Sequence, residues 1–124
     1  MFELEKSFPF EAAHDLKYHD GKCKRLHGHS YTLTVTLRSQ TLITDGPKRN
    51  MVMDFEDVNK AVHPLIKEYL DHHHLNETLQ NDSPTSEVIA QWTFEQLKKK
   101  LPSLYSVSIS ETPRTKVIYC PEPH

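Results

Sequence analysis

The chain has 124 residues, 26% of them charged, and a formal net charge of −2 with histidine neutral. That length fits one domain, residues 1–124, built on a modest core, and neither a membrane span of ~20 apolar residues nor a chain-wide pull on nucleic acid is expected. The N-terminal MFELEKSF lacks the basic-then-apolar layout of a secretory signal and two cysteines make no disulfide framework, so free thiols in a cytoplasmic setting are expected.

Phe2, Leu4, Lys6 and Phe8 alternate with Glu3, Glu5 and Ser7, which predicts a strand. Phe10, Ala12 and His14 continue its inward parity past Pro9. Residues 15–25 turn mostly polar around Gly21 and read as a loop. The segment HSYTLTVTLRS then puts Tyr31, Leu33, Val35 and Leu37 on one face and Thr32, Thr34, Thr36 and Arg38 on the other, a half-buried strand.

A turn around Asp45-Gly46-Pro47 leads to the short apolar Met51-Val52-Met53. Asp54 suits an N-cap for a helix with Phe55, Val58, Val62, Leu65, Ile66 and Tyr69 on one side, and Pro64 within it predicts a kink. Residues 71–82 read as a polar loop. Ser83 and Pro84 read as N-cap and first helical position of a second helix, whose apolar side carries Val88, Ile89, Trp92 and Leu97. Tyr105, Val107 and Ile109 alternate again, and residues 115–119 read as a last strand. The order ββααββ predicts an α+β fold, an antiparallel sheet with two helices on one face.

Histidine is the unusual residue, with nine in the chain. His27 and His29 stand two apart at the entry of the clearest strand, so period-two geometry sends both imidazoles to one face. His14 ends the preceding strand with inward parity. If the two strands pair, all three imidazoles converge to the ~2.0–2.1 Å ligand distances of a zinc ion with an open fourth position. Cupins also use His-x-His on a strand but need a nearby glutamate, and residues 30–38 contain none. On spacing alone, Cys23 reads either as a fourth ligand or as a reactive thiol beside the metal. The run His72-His73-His74 reads equally as a helix end placed at the negative pole of a dipole.

FEAAH at 10–14, CKRLHGHSY at 23–31, LDHHHLN at 70–76, PTSE at 84–87 and SETP at 110–113 stand in the order typical of one family. Through them the chain resembles the 6-pyruvoyltetrahydropterin synthase / 6-carboxytetrahydropterin synthase family over nearly its whole length. Its three-residue spacer between Cys23 and His27 looks like the carboxy-forming branch of queuosine biosynthesis, whereas the pyruvoyl-forming branch usually has a longer one.

The resemblance implies a tunnelling fold whose sheets join into a barrel, assembled as a homohexamer, a dimer of trimers. It implies Zn2+ on His14, His27 and His29, and a substrate, 7,8-dihydroneopterin triphosphate, converted to 6-carboxy-5,6,7,8-tetrahydropterin with loss of acetaldehyde and triphosphate. Cys23 is then a base rather than a ligand, a role thiols take where neighbouring cations favour the thiolate. Asp71 and His72 become a relay pair reaching Cys23 from a neighbouring subunit. Glu111, with Thr112 beside it, becomes the anchor for the two-donor edge of the pterin ring; without the resemblance it reads as a strand-end glutamate in solvent. Lys24 and Arg25 are candidates for the triphosphate or a solvated basic loop. Cys120, His19, His63 and His124 are expected to have no role, and none is assigned to His73 or His74. The readings that compete with a carboxy-forming lyase are a 6-pyruvoyltetrahydropterin synthase and a non-catalytic pterin- or metal-binding module.

Overall fold

The computed structural model describes residues 1–122, so His124 lies outside the described residues. Two long strands, β1 (Phe2–His14) and β2 (His27–Ser39), pair antiparallel along their whole length, from Phe2 opposite Ser39 to His14 opposite His27. This register places Phe8, Phe10 and Ala12 on the same covered face as Tyr31, Leu33, Val35 and Leu37, all buried. The period-two patterns of the two segments match in phase, and a slip of one residue would turn every one of those side chains to the opposite face. β3 (Leu104–Ser110) pairs antiparallel with β2, and β4 (Val117–Tyr119) with β3, giving the order β1-β2-β3-β4.

Helix α1 (Phe55–Leu65) is capped by Asp54, whose side chain accepts from the Glu56 amide. It buries Val58, Val62 and Leu65. Phe55, expected on the apolar side, is 54% exposed: as the first helical residue it lies ahead of the stripe that meets the sheet. Pro64 does not end the helical path. The chain widens into a π turn over Ile66–Leu70, closed by the Asp71 amide bonding to the Ile66 carbonyl at 2.8 Å.

Residues 71–82 are more ordered than the polar loop expected of them. They contain the single-turn helix α2 (Leu75–Thr78), with Leu75 and Leu79 in the core. These two apolar residues, four apart, carried the signal, diluted by the polar residues between them.

Helix α3 (Ser86–Lys98) begins later than the sequence suggested. Its N-cap is Thr85, whose hydroxyl accepts from the Val88 amide at 3.3 Å. Ser83 and Pro84 precede it, because the Ser83 amide is taken by the Asn81 side chain and the Ser83 carbonyl by the Thr85 amide. The last strand is likewise shorter than expected, starting at Val117 and not at residue 115. α1 and α3 cover the sheet face that carries Phe10, Tyr31, Leu33 and Val107, and their buried side chains form one cluster with it. Among the described residues no helix is long and apolar enough to cross a membrane.

Candidate metal centre

The β1–β2 register decides where the three histidines meet. His14 and His27 are direct cross-strand partners at the end of the ladder, and His29 sits opposite Ala12 on the same face. Ring centroids lie 4.6 Å apart for His14 and His27, 5.1 Å for His14 and His29, and 4.9 Å for His27 and His29. One nitrogen from each ring falls within 4.8 Å of the other two, a spacing that can hold a metal ion.

Two of the rings have a fixed tautomer. His14 Nδ1 lies 2.8 Å from the Pro84 carbonyl oxygen and His27 Nδ1 lies 2.6 Å from the Arg25 carbonyl oxygen. A carbonyl only accepts, so each Nδ1 carries the hydrogen and each Nε2 keeps its lone pair for a ligand. Burial holds the His14 pKa below its ordinary 6.5, with the neighbouring His27 and His29 acting in the same direction. A set of ring nitrogens open on one side is what a cation needs from a protein. Beneath the rings, the buried Tyr31 hydroxyl sits 3.4 Å from both nitrogens of His14, and burial pushes its pKa upward.

Glu111, the first residue beyond β3, reaches back to this cluster. Its Oε2 lies 3.7 Å from His29 Nε2, and its Oε1 accepts a hydrogen bond of 2.9 Å from the Ser86 hydroxyl at the start of α3. It lines a groove of about 280 Å³ together with Leu16, Thr85, Ser86, Ile109 and Lys116. Thr112 is exposed and bonds within its own turn, its hydroxyl 3.1 Å from that of Thr115.

Asp71 and His72 form a second group on the other side of His29. Asp71 Oδ2 lies 2.9 Å from His72 Nδ1, while Asp71 Oδ1 accepts from the Glu11 amide at 2.8 Å. That backbone bond, and then His72, hold the Asp71 carboxyl below its usual range. His72 has a left-handed backbone, φ 59°, which is strained for a residue with a side chain. Its amide bonds to the Glu11 carbonyl, so the strand edge holds it there. His72 and His29 line one open groove of about 560 Å³ with Glu11, Gly28 and Ser30.

Cys23 lies in a short 3-10 turn, Lys22–Lys24, and is half-buried. Its carbonyl accepts from the Leu16 amide at 3.0 Å, tying the loop to the end of β1. Among the described residues no hydrogen bond joins its thiol to the histidines or to the Asp71–His72 pair within the chain. Lys24 and Arg25 are exposed beside it, and Arg25 serves the cluster through its carbonyl. Three supporting residues were not foreseen from sequence: Pro84 through its carbonyl, Ser86, and the Tyr31 hydroxyl. Pro84 and Ser86 belong to the quoted PTSE motif, but only the folded chain shows what they touch.

Residues 3–122 match the family model described as 6-pyruvoyl tetrahydropterin synthase. The chain belongs to this family. It is 48% identical over 113 residues to the 6-carboxy-5,6,7,8-tetrahydropterin synthase of Synechocystis, covering 90% of this chain and 88% of that one. The Haemophilus influenzae protein of the same name is 35% identical, over 91% of this chain and 94% of its own. Among solved structures, the 6-pyruvoyl tetrahydropterin synthase of Caenorhabditis elegans superposes with a TM-score of 0.81 at 32% identity, covering 98% of this chain and 96% of that one. Members of the family with different product names thus share one fold, and product chemistry rests on finer features than the architecture.

Proposed function

We propose that the chain, acting as a single domain, is a zinc-dependent carbon–carbon lyase. It converts 7,8-dihydroneopterin triphosphate and water to 6-carboxy-5,6,7,8-tetrahydropterin, acetaldehyde and triphosphate, a step of queuosine biosynthesis. The observation that carries the reading is the convergence of His14, His27 and His29 with two Nδ1 atoms turned away onto carbonyls. Similarity to proteins named for the carboxy product, and the three-residue spacer between Cys23 and His27, favour this branch.

His14, His27 and His29 would hold the zinc. When bound, it supplies Lewis-acid polarisation of the substrate's side-chain hydroxyls. Cys23 takes the role of base, accepting a carbon-bound proton at its thiolate sulfur, and Asp71 orients His72 to exchange that proton through Nε2. Glu111, held on one oxygen by Ser86, accepts from the ring N–H and amino group of the pterin. Thr112 lies beside that anchor, and Lys24 and Arg25 are exposed cations suited to the triphosphate.

Among the described residues the Cys23 thiol bonds to no imidazole of its own chain, which fits a relay completed by a neighbouring subunit. β1 and β4 form the two margins of the sheet, and Phe2 and Ile118 on them are 48% and 64% exposed. Joining such margins into a barrel, as a dimer of trimers, would cover both edges. We infer a cytoplasmic setting from the two free thiols, which a reducing compartment preserves.

The rival within the family forms a 6-pyruvoyl product and releases no aldehyde, and a relative of that kind, the 6-pyruvoyl tetrahydrobiopterin synthase of Drosophila melanogaster, is 31% identical over 80% of this chain. Incubation with 7,8-dihydroneopterin triphosphate followed by mass analysis of the pterin separates the two. A 6-carboxy product supports the proposal, a 6-pyruvoyl product sinks it, and recovery of unchanged substrate by the zinc-loaded protein would point to a binding module.

A further inference from the structure

His14 is the most buried of the three converging histidines, and the chain immediately after it leaves the sheet. Its position therefore depends on what holds Asp15. Residues 71–82 run along the end of β1 and the residues that follow it, and bond to them at every second position. The Glu11 amide goes to the Asp71 carboxylate, the Ala13 amide to the His73 carbonyl at 3.1 Å, and the Lys17 amide to the Asp82 carbonyl at 3.2 Å. Between them, Asp15 is gripped by side chains rather than by backbone. Asn76 Oδ1 accepts from the Asp15 amide at 3.0 Å, and Asn76 Nδ2 donates to the Asp15 carbonyl at 2.8 Å. The same Nδ2 also lies 3.3 Å from the Asp82 carbonyl. His74 Nε2 then meets the Asp15 carboxylate at 3.0 Å.

An amide side chain that satisfies both backbone groups of one residue does the work of a strand partner at a point where no strand continues. Asp15 is bonded directly to the residue whose ring is pinned on its far side by Pro84. His14 is thus fixed through its ring at one end and through its backbone at the other. Among the described residues no hydrogen bond joins Asn76 or His74 to the three imidazoles, although His74 lines the same groove as His29.

We propose that Asn76, assisted by His74, is a positioning residue for the metal centre, setting where His14 meets His27 and His29. It rests on the metal reading above and extends it to two residues of the LDHHHLN segment that carry no role there. Loss of the clasp lets the end of β1 shift, so the binding penalty appears in the metal-bound state and not in the fold as a whole. Partners bonded directly to a ligand ring are worth roughly 10–100-fold in metal affinity, and Asn76, one residue removed from His14, is expected at the lower end of that range.

The test is a Zn2+ competition titration and a Co2+ absorption spectrum on the full chain. The parent protein is compared with Asn76→Ala and with Asn76→Asp, which keeps an acceptor but loses both donors. Melting curves without metal accompany each variant. The expected result is about tenfold weaker Zn2+ binding in Asn76→Ala, with altered Co2+ ligand-field bands. His74→Ala, which loses only the side-chain contact to Asp15, is expected to change affinity less. Unchanged affinity and an unchanged Co2+ spectrum in both Asn76 variants, whatever their melting temperatures, would overturn the inference. If Asn76→Ala does not fold, Asn76→Asp alone decides by the same two readouts. A parent protein that shows no Co2+ ligand-field bands would instead overturn the metal reading, and this inference with it.

Discussion

The ring of His14 donates through Nδ1 to the carbonyl of Pro84 at 2.8 Å, which links the end of β1 to the residue two before α3. One hydrogen bond thereby fixes a tautomer and joins the sheet to the second long helix at the candidate metal site. The donor set is incomplete if any of its three rings is lost. His29 is more safely removed than His14, because its side chain is 23% exposed whereas His14 is fully buried. His29→Ala is expected to lower zinc affinity beyond the roughly 10–100-fold that outer-shell changes produce. Metal content after dialysis, measured by elemental analysis, checks it.

Cys23 contributes its carbonyl to the loop and leaves its thiol free for chemistry. Cys23→Ala keeps the backbone bond to Leu16 and is expected to retain zinc. Turnover should fall by roughly the 10²–10⁴-fold attributed to a positioned base. Full zinc content with activity lost identifies a base, whereas loss of zinc in this variant would make Cys23 a ligand.

Glu111 offers one oxygen to Ser86 and holds the other 3.7 Å from His29. Glu111→Gln replaces an acceptor pair by one acceptor and one donor, which opposes the donor edge of a pterin. Hydrogen bonds to charged groups are worth about 1.5–3 kcal/mol, so KM should rise by roughly 10–100-fold. Steady-state kinetics and equilibrium binding of a reduced pterin measure it, and an unchanged KM would remove Glu111 from the anchor role.

How much of this was legible in the sequence follows from what each signal depends on. The alternation of Phe8, Phe10, Tyr31 and Leu33 is a local pattern, and it placed β1, β2 and the facing of all three histidines correctly. Helix starts were less legible, since Thr85, Ser83 and Asn81 all favour caps and tertiary bonds chose among them. The π turn after Pro64 and the short helix at Leu75 are responses to packing, with no period long enough to read. The contact of Glu111 with His29 bridges a stretch of chain that contains α1, α2, α3 and β3, and the grip of Asn76 on Asp15 joins residues 61 apart. Motif order could mark such residues as a set, but only the register of the strands says which atoms meet.

Stability should depend on pH through groups of opposite sign, among them Asp71 and His74. Asp71 has a folded pKa held below 3.8 by the Glu11 amide and His72, so its contribution is complete above that value and disappears as pH falls through the depressed one. His74 has a folded pKa raised above 6.5 by Asp15, so its contribution is complete below 6.5 and is lost as pH rises through the raised value. His14, which burial holds below 6.5, works against the folded state as pH falls below that value, so metal-free protein should melt highest near neutral pH. Thermal midpoints across the pH range check this. Asp71→Asn should flatten the acid limb, and His74→Ala the limb above neutrality.

The most direct test of a zinc-dependent carbon–carbon lyase is the quantity of acetaldehyde released per triphosphate from 7,8-dihydroneopterin triphosphate. It is measured on zinc-loaded, chelator-stripped and reloaded protein. Equal amounts of the two products from the loaded protein, none after stripping and recovery on reloading are the expected result. Triphosphate without acetaldehyde, or acetaldehyde formed equally well after stripping, would contradict it.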